Sequence, residues 1–238
     1  GAAAVAAWAL TTSGIWLALL ALAPLYLTYR TYKVYLGRIE DGRRHVEEMA
    51  DLHLATIEAL ALAIDAKDQT TQTHIRRVQV YSAELARTLG MSDNEIQGVK
   101  TAALLHDIGK LAVPEHILSK PGPLTQEEFQ KIRIHPQVGA EIISAVPFPY
   151  PVAPLIRSHH ERWDGKGYPQ GLKAEDIPLG ARILTVVDYF DALTSDRPYH
   201  KAMTHDAALL LLQQEAGRAL DPKVVDLFIE KLPEMTRQ

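Results

Sequence analysis

The run Ala102-Ala103-Leu104-Leu105-His106-Asp107-Ile108-Gly109-Lys110 leads four apolar residues straight into an adjacent His-Asp pair. Imidazole and carboxylate are ligand types that suit Zn, Mn and Fe ions. Two neighbours cannot point the same way from a helix, yet both can reach ions lying beside it. Lys110 follows His106 by four residues, which predicts a shared helical face. A cation beside metal ligands predicts an anionic substrate. A His-Asp pair on its own is more often surface or capping chemistry, so its meaning depends on the rest of the chain.

Working outward, the apolar period from Leu52 onward is 3.6 residues almost throughout. A helix over 74–89 stops at Gly90. Ser92 with Glu95, and Thr125 with Glu128, are capping-box signatures that start two more helices, the first running through Leu105. Further helices are predicted over 138–145, 155–160, 178–192, 204–216 and 222–231. Prolines at Pro114, Pro121, Pro123, Pro147, Pro149, Pro151 and Pro154 mark the connections. Strand-type alternation is missing, so the fold class is all-α. The expected layout is a helical domain over 52–238, a connecting helix over 30–51 and a transmembrane segment over 1–29.

That last expectation rests on charge. Residues 1–29 carry none, and a spanning helix needs about 20 apolar residues. Thr11, Thr12, Ser13 and Pro24 weaken the run, while Trp8, Trp16, Tyr26 and Tyr29 suit its interfaces. Arg30, Lys33 and Arg38 follow at once, so the positive-inside rule predicts an inner-membrane protein with its domain in the cytoplasm. No basic stretch precedes the apolar run, which argues against a signal peptide. With no initiator Met, the run is expected to end a longer membrane region. Ile39, Val46, Met49, His53, Thr56, Leu60 and Ala63 then fall near a 3.5-residue repeat, the seam of a parallel homodimer. Gly42 interrupts it.

Composition narrows the function. The 238 residues carry a net charge of −4 and are 47% hydrophobic. No basic stripe is present, which excludes a nucleic-acid polymer as partner. There is no Cys, so disulfides and Cys-based zinc sites are excluded too. Five of the ten histidines, His74, His106, His135, His159 and His160, occur in successive predicted helices. Asp188 lies inside the apolar run Ile183-Leu184-Thr185-Val186-Val187-Asp188-Tyr189-Phe190. A buried carboxylate must be paired or metal-bound. Asp191, one turn on, is placed to orient a ligand. His45, His53, His116, His200 and His205 read as seam or surface residues.

In combination these motifs resemble the HD-GYP phosphodiesterases, a branch of the HD superfamily that hydrolyses cyclic di-GMP. The resemblance covers roughly 52–235. It is carried by Asp68…Thr71…His74…Arg77-Val78, His106-Asp107-Ile108-Gly109-Lys110, His135-Pro136, His159-His160-Glu161-Arg162-Trp163-Asp164-Gly165-Lys166-Gly167-Tyr168-Pro169, and Asp188…Asp191-Ala192-Leu193-Thr194-Ser195-Asp196-Arg197-Pro198-Tyr199. Gly167-Tyr168-Pro169 is the sequence that names the family.

The resemblance implies metal ligands at His74, His106, Asp107, His135, His159, His160 and Asp188, with Asp107 bridging two ions. Some members carry a Glu four residues before the first His, supporting a third ion. Here that position is Thr70, so a binuclear site is expected, of Fe or Mn, with Zn or Ni as other occupants. The family's Gly before the first His is Thr73. Asp107 and Lys110 are the expected catalytic residues. Lys110, Arg197, Lys201 and Tyr168 are the expected substrate contacts, although His200 stands where relatives often have Lys. Arg77 is expected to pair with an acid near the site. The Gly-Tyr-Pro loop is expected to shape the nucleotide pocket or to dock diguanylate cyclase (GGDEF) domains.

The leading reading is a cyclic di-GMP phosphodiesterase giving pGpG or GMP. One rival changes the substrate to another cyclic dinucleotide such as cyclic GMP-AMP. The other is a receptor or cyclase-docking module without turnover.

Overall fold

The computed structural model describes residues 1–68, 72–196 and 201–236, with some helical side chains between 6 and 23 and most between 46 and 73 left out. The chain divides into two compact units, Gly1–Ala55 and Thr56–Gln238. Among the described residues there is no strand, only an isolated bridge between Ala216 and Leu220. The all-α expectation holds.

Helix α1 runs over Ala2–Asp68 with Pro24 inside it. The expected membrane span over 1–29 is not borne out. Among the described residues no helix is long and apolar enough to cross a membrane. The described part of the run is diluted by Thr11 and Thr12, whose hydroxyls turn back on the carbonyls of Ala7 and Trp8. The helix also continues without a break through Arg30, Lys33 and Arg38. The inner-membrane placement that depended on this span falls with it.

The second unit is built from α2 (Gln72–Thr88), α3 (Asp93–Leu105), α4 (Glu115–Leu118), α5 (Gln126–Ile132), α6 (His135–Ser144), α7 (Ala153–Ser158), α8 (Leu179–Thr194), α9 (His205–Glu215) and α10 (Pro222–Met235). Both expected capping boxes form. Ser92 and Thr125 each accept from the backbone N–H three residues on, and Glu95 and Glu128 reach back. Two N–H groups with no partner inside each helix are thereby satisfied. Gly90 ends the α2 segment at φ +74°, a left-handed angle that glycine adopts without a Cβ clash.

The core lies where α2, α3, α8 and α10 meet. Leu85, Val99, Ile183, Val187, Val225 and Phe228 are fully buried there, and Phe228 packs edge-on against Phe190. One face of α8 therefore serves the core. Asp188 and Asp191 sit toward its other side and reach the candidate site.

Two close approaches fix the geometry of that site. Helix α3 ends at Leu105, and a 3₁₀ turn over Ile108–Ala112 follows. Its Gly109 lies against α6, where a Cβ would come within 1.9 Å of the His135 carbonyl oxygen. Gly139 answers from α6, its own Cβ position 3.2 Å from the Gly109 nitrogen. Only paired glycines let the backbones meet this closely. The contact sets Asp107 beside His135. The break after Leu105 also frees His106 and Asp107 from pointing to different sides of one helix. As a result, Lys110 sits in the 3₁₀ turn instead of on the helical face of His106.

Candidate metal centre

Five histidines and two aspartates come together from α2, α3, α6, α7, α8 and the turns that follow α3 and α7. Their ligand atoms form two groups, His74, His106 and Asp188 in one, His135, His159 and His160 in the other, each within 4.8 Å mutually. Asp107 lies between them. Its Oδ2 is 3.4 Å from His106 Nε2 and its Oδ1 is 3.5 Å from His135 Nε2. Asp188 Oδ1 is 3.9 Å from the Nε2 atoms of both His74 and His106.

Each ring is aimed by what its other nitrogen does. His106 Nδ1 is 2.9 Å from the Ala103 carbonyl, His135 Nδ1 2.7 Å from that of Ile132, and His159 Nδ1 2.6 Å from that of Ile156. A carbonyl only accepts, so Nδ1 carries the proton and Nε2 turns its lone pair inward. All three use the carbonyl three residues back at a helix end, a group with no partner in the helix. His74 is aimed differently. Its Nδ1 is bonded to Asp191, whose Oδ1 accepts from Arg77 Nε at 2.6 Å. Ser195 Oγ accepts from Arg77 Nη2 at 2.7 Å and donates to Asp191 Oδ2 at 3.0 Å. Asp191 thus orients a ring, and Arg77 pairs with an acid beside the site, as expected. Such support fixes ring orientation and raises the basicity of the facing nitrogen.

The electrostatics match the donor set. Burial pushes His159 well below its ordinary pKa, with help from His160 and His106. Burial and His135 bring His160 down to about 3, and burial lowers His135 as well. Neutral imidazole is the form that ligates. Burial alone would raise the Asp107 carboxyl, but Lys110, His106, His135 and His159 hold it well below the carboxylate range. His74 is raised, since Asp191 and Asp188 outweigh burial. Rings at His135, His159 and His160 that burial keeps neutral, beside the ionised Asp107, are a donor set that fits divalent metal.

Lys110 Nζ is 2.7 Å from Asp107 Oδ2. A cavity of about 640 Å³ opens over the cluster. Asp107, Lys110, Asp188 and Tyr168 line it, as does Lys120, which sequence reasoning missed. Lys120 leans on Glu128 at 2.6 Å. Lys201 is exposed and does not line this cavity. Arg197, His200 and Thr70 fall outside the described residues, as does the Thr73 side chain.

The Gly-Tyr-Pro loop forms one wall. Tyr168 stacks on His160 with ring centres 4.9 Å apart and 27° between planes. Arg133 lies over the Tyr168 ring at 4.7 Å. The loop is tied down by Glu161, which is buried and accepts from the N–H groups of Gln170, Gly171 and Leu172 at 2.7, 3.1 and 3.1 Å. Gly167 passes so close to this residue that a Cβ would lie 2.6 Å from Glu161 Cα. No local sequence signal marks Glu161 or Arg133 for these roles; both depend on the folded path of the loop.

A helical domain that gathers five His and two Asp into one cluster, part of it open to a cavity, defines a class of proteins built to hold metal. The chain belongs to the HD domain family, whose model matches residues 58–224. It is 42% identical over 186 residues to the cyclic di-GMP phosphodiesterase response regulator RpfG of Xanthomonas campestris, covering 77% of this chain and 49% of that protein. It is 38% identical over 191 residues to a cyclic di-GMP phosphodiesterase of Thermotoga maritima, covering 79% and 52%. A 3'3'-cGAMP-specific phosphodiesterase 2 of Vibrio cholerae is 34% identical over 209 residues, covering 86% and 40%. The chain spans about half the length of the first two relatives and less of the third. Among solved structures, the fold is shared with a cyclic GMP-AMP phosphodiesterase of V. cholerae, with a TM-score of 0.56, 22% identity and coverage of 75% and 48%. It is also shared with Bd1817, an HD-GYP-type protein of Bdellovibrio bacteriovorus, with a TM-score of 0.55, 23% identity and coverage of 67% and 51%. The resemblance to the HD-GYP phosphodiesterases is borne out.

Proposed function

We propose that this chain hydrolyses the phosphodiester bonds of a cyclic dinucleotide, with cyclic di-GMP as the preferred substrate. The observation that carries the reading is the division of Asp107, one oxygen toward each histidine group. That is the layout of a bridging carboxylate, and it supports a binuclear site held by His74, His106 and Asp188 on one side and His135, His159 and His160 on the other. The nitrogen and oxygen donors suit Fe or Mn. Two divalent ions bound there would act as Lewis acids on the phosphate and lower the pKa of a water to about 7.

The chain's own residues do the rest. Asp107 and Asp188 supply negative charge that balances the ions. Lys110 gives a point charge beside Asp107 that attracts a phosphate oxygen. Tyr168 and His160 wall the site and limit access of bulk water. Water adds to phosphorus and the P–O3′ bond breaks, giving linear pGpG with a 5′-phosphate and a free 3′-hydroxyl. A second cycle gives GMP. The 3'3'-cGAMP-specific name of one relative makes cyclic GMP-AMP the alternative substrate. The Gly-Tyr-Pro loop, with Lys166 exposed beside it, is the proposed docking point for a cyclase domain, and 30–51 the proposed dimer seam.

The test pairs metal analysis of anaerobically purified protein with product chromatography. About two ions per chain and release of pGpG or GMP are expected. His106→Ala with Asp107→Ala removes metal and turnover together. Metal-loaded protein that cleaves no cyclic dinucleotide rejects the enzyme reading.

A further inference from the structure

Behind Tyr168 lies a second cavity of about 370 Å³ that the metal-ligand groups do not explain. Phe129, Arg133, Tyr168 and Tyr189 are among its walls, and Tyr168 and His160 line both cavities. The two cavities therefore adjoin at these two rings. Three cations border the smaller one, but they are not equivalent. Arg162 donates from Nε and Nη2 to the two oxygens of Asp164. Lys166 is exposed. Arg133 is half-buried on the Tyr168 ring, and among the described residues no carboxylate pairs with it.

A guanidinium resting on a ring is a flat plate whose donors point outward along its own plane. Two such donors match the O6 and N7 acceptors of guanine. Adenine keeps N7 but offers an amino donor where guanine has O6. We propose that Arg133 selects the base: it binds the acceptor edge of a guanine in the cavity behind Tyr168, while the phosphodiester lies over the His/Asp cluster. This rests on the reading of the chain as a cyclic dinucleotide phosphodiesterase. Phe129 and Tyr189 supply the apolar walls a purine needs.

The experiment uses the full metal-loaded chain, Arg133→Ala and Arg133→Lys, and three substrates: cyclic di-GMP, cyclic di-AMP and bis(p-nitrophenyl) phosphate. Both substitutions are expected to raise KM for cyclic di-GMP by roughly 10- to 100-fold, since Lys keeps the charge and loses the fork. The kcat for cyclic di-GMP and all rates on bis(p-nitrophenyl) phosphate stay within about twofold. KM for cyclic di-AMP hardly moves, so base selectivity collapses. An unchanged ratio of the two cyclic dinucleotides, or an equal loss on all three substrates, overturns the proposal. If the parent protein cleaves none of them, the enzyme reading has failed and calorimetric titration decides Arg133 separately. Preferential binding of cyclic di-GMP that vanishes in Arg133→Ala supports it. Equal binding of both cyclic dinucleotides, or none, overturns it.

Discussion

Asp107 is where single atoms matter most. Its two oxygens face different histidine groups, and Lys110 holds one of them at 2.7 Å. The seven residues that meet at the cluster were legible because each residue type is chemically narrow and the motifs recur in a known order. The partners that aim the rings were less so. Asp191 was foreseen from its position one turn beyond Asp188. The carbonyls of Ala103, Ile132 and Ile156 were not, because a backbone acceptor leaves no trace in side-chain identity. Lys110 was expected on the helical face of His106 because the sequence shows no break between α3 and the 3₁₀ turn. Asp191→Asn keeps the size of the side chain but weakens its hold on His74 and Arg77. Its metal affinity, measured by competition with a chelator, is expected to fall about 10- to 100-fold.

At the level of elements, capping boxes and glycine stops located the starts of α3 and α5 and the end of α2, since these signals act within four residues. The length of α1 was not readable in the same way. Charge content suggested a boundary after residue 29, yet the helix runs over Ala2–Asp68, because charge does not interrupt helical hydrogen bonding. The pairing of the Ile108–Ala112 turn with α6 depends on two glycines 30 residues apart, a relation no local pattern reveals. Gly109→Ala places a methyl group into the His135 carbonyl. It is expected to destabilise the domain by about 3 kcal/mol in urea titration and to lower metal content. Substitution at Gly42, with nothing within 4 Å of its Cβ position, is expected to leave domain stability unchanged.

For the molecule as a whole, the absence of Cys excluded Cys chemistry, and the 3.6-residue period pointed to the all-α class that the helices show. It could not fix the fate of the apolar end, where hydropathy summed over a window outweighs the mere absence of charge. The candidate centre draws its donors from helices α2, α6 and α8 and from the turns after α3 and α7. Five imidazoles and two carboxylates are held close there, a donor set that only the folded chain assembles. Metal binding should therefore stabilise the native state by mass action. At a free metal concentration 100-fold above Kd the gain is about 2.7 kcal/mol, or roughly 5–10 °C in Tm for a domain of this size. Calorimetry with and without chelator checks this, and equal melting temperatures would mean that no ion is bound.

The tether at Glu161 has a bearing on how the site can diverge. Its carboxylate grips the loop by main-chain N–H groups of Gln170, Gly171 and Leu172, so the path of the loop is indifferent to the side chain at Gln170, which is exposed. That residue stands on a loop whose shape is guaranteed from beneath. A library randomised at Gln170 should keep its fold and metal content while sampling new chemistry on the exposed side of the loop. Glu161 is the fixed peg that makes such variation cheap.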